Sequence, residues 1–382
     1  MKIVHICLAC FYVENMGYQE NLLPRYHVNQ GHKVTVLTSD YAFNTKGETV
    51  EKKDKEYTNQ SGIKVKILER GKGFMSKYGI FEGIYEELSC IKPDIIFVHG
   101  GQFLSLKDII RYVKNKRDVE LFIDQHGDFY NTPVYTFKTR ILQSLIYGYY
   151  MRKAVKYVKK YWGVTPWRCQ YLKEIYGIPS RKIGLLVMGG DDDLIDFDNQ
   201  ENIRNGLRGE LGISEEDFVV ITGGKIDRAK NIHLLMEAMN KIDNSKIKLV
   251  VFGQPNKEME DEFTSLAKCE KIISLSWIPS EEVYNYFLMA DLAVFPGTHS
   301  VLWEQACACG LPGLFKDWEG MHHVLVNGNV RFLTSDSSDE IKSEIEDLVK
   351  NTDKMALMKE NAQKCKEEFF YSKISKKAIA ID

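Results

Sequence analysis

"FVVITGGKIDRAKNIHLLMEAMNKI", Phe218 to Ile242, decides how the rest of the chain is read. An apolar run enters Gly223-Gly224, Lys225 and Lys230 flank the turn, and a helical apolar period follows from Asn231. A strand apolar at consecutive positions is buried on both faces, as in a parallel sheet covered by helices. Strand, glycine turn and helix together open a doubly wound α/β domain. This unit lies past the middle of the chain, so it restarts a series rather than beginning one.

Upstream, runs of the same kind recur at βα spacing: "KIVHICLA", "KVTVLTS", "IKVKILE", "DIIFVHG", "VELFIDQHG", "KYWGVTP" and "KIGLLVMG". The polar stretch Asp198 to Asp217 interrupts them. Downstream come "IKLVVFG", "IISLSW", "LAVFPG" and "LPGLFKD", with helical patterns between. A chain of 382 residues exceeds one ordinary core. The expectation is two Rossmann-like doubly wound domains, 1–195 and 196–364, facing a cleft lined by strand carboxyl ends.

Bulk composition bounds the function. Hydrophobic residues are 44% and charged residues 27%, with net charge −2, so no global polyanion partner is indicated. "MKIVHICLAC" is a single lysine and a strand-like run, unlike a secretory leader, and no window of about 18 uninterrupted apolar residues occurs. A cytoplasmic setting follows as the expectation. The eight cysteines are scattered and read as reduced, mostly buried thiols; the Cys7/Cys10 pair stands without a second such pair.

Polar residues collect at strand ends. Gly17 lies in the turn after the first strand, where a glycine lets N–H groups approach an anion, or where a plain loop turns. His126, Gly127 and Asp128 follow the strand of "VELFIDQHG". Lys225 and Lys230, beside a helix start, suit a diphosphate, though two solvated lysines would look alike. In "HSVLWEQACACGLP", His299 to Pro312, Glu304 stands among small and apolar residues. It is either a first-turn acid or an acceptor for two vicinal hydroxyls such as those of a ribose. The N–H groups of Ser300, Val301 and Leu302 would then face phosphate or sugar oxygens.

With these segments in order, the chain resembles the retaining, nucleotide-sugar-dependent glycosyltransferases of family 4, which have the GT-B fold. "NQGHKVTVLTS" is similar to that family's "GHxVxVxT" strand, and "GIPSRKIGLLVMGGDDDLIDF" to its "IPxxKIxVIPNGVDxxxF" crossover. "GGKIDRAKNIHLLMEAM" resembles "GRLxxxKGxxxLxxAF", and "ACACGLP" resembles "AMACGLP". The resemblance implies that Lys225 and Lys230, beside Gly224, bind the donor diphosphate and that Glu304 holds the ribose. Gly17 would lie by the phosphates, His126 beside the transferred sugar, and Ile278 would meet the base. It also implies a C-terminal helix, about 365–382, packing back on the first domain. Three departures stand out. Lys225 replaces an arginine, so the bidentate fork is lost. Pro296 occupies the place of the family's first glutamate, which leaves His299 as the nearest polar candidate. Gly189 replaces an asparagine. "GDDDLIDFD" superficially offers hard oxygen ligands, but it falls in the crossover, and no metal is assigned.

From Phe129 to Lys173 there are nine cations, interleaved with aromatics, and no acid. Arg152, Lys153, Lys156, Lys159 and Lys160, with Asp128, mark an acceptor or membrane side, an anionic surface being the natural partner. Inward-packed aromatics under solvated lysines are the alternative, and no nucleic-acid module accompanies the patch.

The resulting expectation is a hexosyltransferase that moves sugar from a nucleoside diphosphate sugar to a carbohydrate or lipid-linked hydroxyl with retention. It would need no cofactor and would work at the inner face of a membrane in polysaccharide or glycolipid assembly. A sugar-nucleotide epimerase of the same fold and a binding subunit without turnover are the competing readings.

Overall fold

The computed structural model describes residues 1–10, 12–14, 17–43, 49–51, 55–116, 118–132 and 136–380. The chain divides into two compact units, residues 1–187 with 374–382, and residues 188–373.

In the first unit the strands are β1 (Lys2–Cys7), β2 (Lys33–Ser39), β3 (Tyr41–Phe43), β4 (Thr49–Glu51), β5 (Glu56–Thr58), β6 (Lys64–Leu68), β7 (Ile95–His99), β8 (Glu120–Gln125), β9 (Val158–Gly163) and β10 (Ile183–Leu185). Eight of them form one sheet in the order β10-β9-β8-β7-β1-β2-β6-β5, while β3 and β4 pair separately. Only β5 runs antiparallel within the large sheet. The central strands β1 and β7 are buried along nearly their whole length, as their unbroken apolar runs require. Apolar faces of the helices Ile84–Ile91 and Leu106–Lys114 close over one side, with Leu88, Leu106 and Ile109 fully buried.

The second unit contains β11 (Phe218–Ile226), β12 (Ile247–Pro255), β13 (Ile272–Leu275), β14 (Leu292–Phe295), β15 (Gly313–Lys316) and β16 (Val330–Leu333). They form a parallel sheet ordered β13-β12-β11-β14-β15-β16. Strand order reverses beside β1 in the first sheet and beside β11 in the second. In open α/β sheets such reversals open crevices at the carboxyl ends of the strands, where ligands bind.

The sequence reading placed the domain boundary at 195/196, whereas the units divide at 187/188. The segment after Val187 is woven into the second unit. The Gly190 N–H donates to Phe369 O at 2.9 Å, and Tyr284 Oη accepts from Asp191 N at 2.8 Å. A Cβ on Gly190 would lie 2.6 Å from that of Ala308. Asp192 accepts from Ser372 N at 2.9 Å, so part of "GDDD" braces the backbone. Residues from Ile374 onward belong to the first unit, with Trp162 Nε1 donating to Ala378 O at 2.9 Å and Gln30 Nε2 to Ser375 Oγ at 2.7 Å.

Candidate functional site

At the carboxyl end of β11 the backbone packs too closely for side chains. A Cβ on Gly253 would fall 1.9 Å from Gly224 O, and one on Gly297 would fall 2.3 Å from the Lys230 carbonyl carbon. Gly224 itself has φ +101, open to glycine at little cost. The strand therefore delivers Lys225 to the surface, where its ammonium stands 3.5 Å from Asp227 Oδ2. Lys230 closes a short 3-10 turn, Arg228–Lys230, capped by the Asp227 carboxylate. Its Nζ donates to the carbonyls of Thr298, at 2.9 Å, and His299, at 2.8 Å, so it holds the loop after β14. Burial lowers its pKa, Asp227 opposes that, and Lys225 adds to it. The structure thus brings Gly224, Lys225, Lys230, His299 and Ser300 to one strand end. The Leu302 N–H is turned to Ser300 Oγ at 3.4 Å, and Val301 precedes the helix Leu302–Ala308. Ile278 is half-buried, three residues after the end of β13.

Glu304, read from sequence as an acid awaiting a ligand, is answered from within the protein. It is 0% exposed. His299 Nε2 reaches both carboxylate oxygens, at 2.8 and 3.1 Å, and His323 Nε2 reaches Oε1 at 2.8 Å. Burial alone would raise the carboxyl pKa, but the two histidines outweigh it and hold the value at about 2. His323 was not singled out by sequence; its signal was the His322-His323 pair. His299, Glu304 and His323 place metal-binding atom types within 4.8 Å of one another. However, His323 Nδ1 is buried without a partner. A metal-bound histidine holds its other N–H in a hydrogen bond, so this cluster fits Nε2–H donors rather than ligands.

In the first unit the switch-point strands converge on another buried carboxylate, Asp124 of β8. Its Oδ1 accepts from Gly100 N at 2.9 Å, and its Oδ2 lies 3.0 Å from His99 Nδ1 and 3.1 Å from His126 Nε2. His99 Nε2 lies 2.9 Å from His5 Nδ1, His5 Nε2 lies 2.9 Å from His27 Nδ1, and His27 Nε2 lies 2.9 Å from Ser375 O. Four strand and helix residues are thus strung between a backbone carbonyl and His126, whose side chain is 29% exposed. Burial opposes ionisation of Asp124, yet His126 and His99 hold its pKa far below the usual carboxylate range. Burial likewise opposes charge on His99, but Cys7 and Asp124 raise its pKa to about 9. Burial lowers His27 to about 4 and depresses His5 strongly. His126 is raised by Asp124 and Glu20 against burial. Only His126 of this set was singled out in the sequence, although His5 and His99 sit in two of the quoted strands.

The remaining candidates divide. Gly17 precedes the helix Gln19–Asn29, with nothing within 4 Å of a hypothetical Cβ. Asp128 is buried and organises its own loop, its Oδ1 accepting from Tyr130 N and Asn131 N at 2.9 and 2.8 Å. Arg152 is tied to the carbonyls of Tyr176 and Ser144, and Lys159 to Glu120 at 2.6 Å. Lys153, Lys156 and Lys160 lie over the rings of Tyr149, Tyr157 and Trp162. Phe137, Leu145 and Tyr149 are exposed on the same stretch. Among the described residues no helix is long and apolar enough to cross a membrane.

Residues 204–365 match the family described as "Glycosyl transferases group 1". Over 195 residues the chain is 25% identical to the lipopolysaccharide 1,2-N-acetylglucosaminetransferase of Salmonella typhimurium, covering 46% of this chain and 50% of that protein. It is 22% identical over 163 residues to an uncharacterized glycosyltransferase of Methanocaldococcus jannaschii, covering 40% and 42%. The chain spans about half the length of the curated relatives it matches. The crystal structure of Anabaena Alr3699/HepE in complex with UDP and glucose superposes with a TM-score of 0.67 at 16% identity, over 99% of this chain and 98% of that one. The likeness shows the fold: two parallel-sheet α/β units of the GT-B glycosyltransferase kind.

Proposed function

We propose that this chain is a glycosyltransferase that takes a hexosyl unit from a nucleoside diphosphate sugar and passes it, with retention, to a hydroxyl acceptor. The observation that carries the reading is the end of β11, where Gly224, Lys225 and Lys230 meet the loop before Ser300 at the switch point of the second sheet. Two ammonium groups there would offset the charge developing on a departing diphosphate, which asks for no metal. Lys225 is free to swing onto the ligand. Lys230 has a third donor left after serving Thr298 and His299. Glu304 acts through His299, whose ring it orients, rather than by touching a ribose itself. His126 would bond a hydroxyl of the transferred sugar, and Ile278 would lie near the base. The group 1 match over residues 204–365 and a fold shared with a protein crystallised with UDP and glucose support this reading.

The acceptor is proposed to be a carbohydrate or lipid-linked hydroxyl presented at an anionic membrane surface in cell-surface glycan assembly. Phe137, Leu145 and Tyr149 would enter the interface while Lys153 and Lys156 meet the headgroups. Flotation with vesicles containing anionic lipid should carry the protein upward at low salt. Combined Lys153→Glu and Lys156→Glu substitutions should abolish that, and binding unchanged by them would remove the membrane reading.

The donor site is tested by thermal shift against UDP, GDP, ADP and their sugar conjugates. A nucleotide at 100 times its Kd stabilises by about 2.7 kcal/mol. One nucleotide should give the shift, and Lys225→Ala, which leaves the loop contacts intact, should weaken it. No shift with any nucleotide would overturn the assignment. The enclosure of Glu304 favours one second reading, a donor-binding subunit without turnover. Slow release of sugar from the bound donor would count against it.

A further inference from the structure

The three rings and the carboxylate that lead from Ser375 to His126 form a chain with only one consistent direction. A backbone carbonyl cannot donate, so His27 must carry its proton on Nε2 to meet Ser375 O. A neutral His27 then offers a lone pair at Nδ1, and His5 must donate from Nε2. His5 in turn accepts at Nδ1, so His99 donates from Nε2. Were His99 neutral as well, a bare Nδ1 would face the Asp124 carboxylate at 3.0 Å, lone pair against lone pair. That conflict is removed by a second proton on His99.

We propose that His99 is a positioning residue, held as an imidazolium at neutral pH by the one-way chain that begins at the Ser375 carbonyl, and that it keeps Asp124 ionised so that His126 is oriented with Nε2 turned inward. The groups facing this pair are consistent with it. His5 and Cys7 on β1, Cys10 just after it with its thiol 3.7 Å from the His99 carbonyl, Glu20 and His27 on the helix Gln19–Asn29, Asp124 and His126 at the end of β8, and Arg168 beside His126 are the titratable neighbours. Burial keeps His5 and His27 neutral, while Cys7, Asp124 and Glu20 favour the charge on His99. Gly100 N fixes the other carboxylate oxygen. His126 Nε2 is buried 3.1 Å from Asp124 Oδ2 without hydrogen-bond geometry, so the carboxylate draws it inward by charge, and the rest of the ring is what His126 presents outward.

The consequence for transfer rests on His126 lying beside the sugar, as proposed above, but the chain itself is testable without turnover. Histidine labelled with 15N should be followed by long-range proton–nitrogen correlation through a pH titration. His99 should show two protonated nitrogens at neutral pH and titrate near pH 9, while His5 and His27 remain neutral Nε2–H tautomers. A neutral His99 at neutral pH would overturn the proposal. So would bound metal whose removal by a chelator shifts the His99 Nδ1 and His126 Nε2 signals.

Two variants separate chain direction from packing. In His27→Gln the amide oxygen can accept from His5 and the amide nitrogen can donate to Ser375 O, so the direction survives and His99 should titrate as before. In His27→Leu the acceptor for His5 Nε2–H is lost. His5 can then flip to its Nδ1–H tautomer and donate to His99, which is left neutral with its own proton toward Asp124. The His99 midpoint should fall by about 1 pH unit or more, tenfold in proton affinity. An unchanged midpoint in His27→Leu would overturn the proposal, and if that variant does not fold, the wild-type tautomers decide. A donor-binding failure with the tautomers as stated would remove the functional role of His126 and leave the chain intact.

Discussion

Asp124 in the first unit and Glu304 in the second are each fully buried, and each faces two histidine nitrogens near 3 Å. They differ in what stands behind the histidines. Behind His99 a further pair of rings ends on a carbonyl that can only accept, so proton positions are dictated from 348 residues away in sequence. Behind His323 no hydrogen-bond partner stands among the described residues, its Nδ1 being buried. One N–H per ring satisfies Glu304, whereas Asp124 needs a ring carrying two. The comparison teaches that a buried carboxylate does not by itself set the charge of its histidines. The far end of the hydrogen-bonded chain does.

The largest effect is expected from Asp124→Ala, which strands an imidazolium: about 3–5 kcal/mol of stability, read by urea unfolding of the whole chain. Glu304→Ala leaves two buried imidazole N–H donors unpaired and should cost roughly 1–3 kcal/mol. Equal losses would count against an imidazolium at His99. Their pH responses should also point in opposite directions. The folded-state pKa of His99, about 9, lies above the usual 6.5, so its contribution is complete below about pH 6.5. That contribution is lost as pH rises through about 9. The folded-state pKa of Glu304, about 2, lies below the usual 4.5, so its contribution is present above about pH 4.5 and fades toward pH 2. Of the five tryptophans, Trp162 and Trp167 lie in the first unit and Trp277, Trp303 and Trp318 in the second, so variants that keep only Trp162 or only Trp303 give fluorescence probes for scans at both extremes. Alkaline loosening reported by Trp303 before Trp162 would contradict the assignment.

Smaller effects test the edges of the comparison. His323→Gln keeps one N–H donor for Glu304 and should cost about 1 kcal/mol, whereas His99→Gln should cost several times more. Gly17→Ala meets empty space and should change stability by less than about 0.5 kcal/mol. Any loss of nucleotide binding in that variant would then report ligand approach rather than folding.

Sheet strands were legible because both-face burial writes itself as continuous apolar runs, so "FVVITGG" and "DIIFVHG" announced β11 and β7. The short strands β3 to β5 carry no such run. At the candidate site, glycine turns and lysines at β11 were readable because the whole arrangement is local, Gly223 to Asn231. The Asp124 chain was not, because its members lie 22, 94 and 348 residues apart and a histidine inside an apolar strand has no local signature. The stretch without acids from Phe129 to Lys173 misled in one respect. Glu120 on the neighbouring strand reaches Lys159, and Asp128 stands 3.3 Å from Arg168, so partners came from outside the window.

Ser375 also ties the chemistry of the first unit to the order in which the chain is made. Its carbonyl lies in the closing segment, 374–382, of a unit whose main part ends at Val187, so everything between must be synthesised before the acceptor arrives. At about 5–20 residues per second that interval is roughly 10–40 s. Until then the Ser375 carbonyl that fixes the His27 proton on Nε2 is missing, and either tautomer of that ring is open to the growing chain. The arrangement of protons is thus settled late, when the growing chain delivers residue 375, rather than when the sheet first forms.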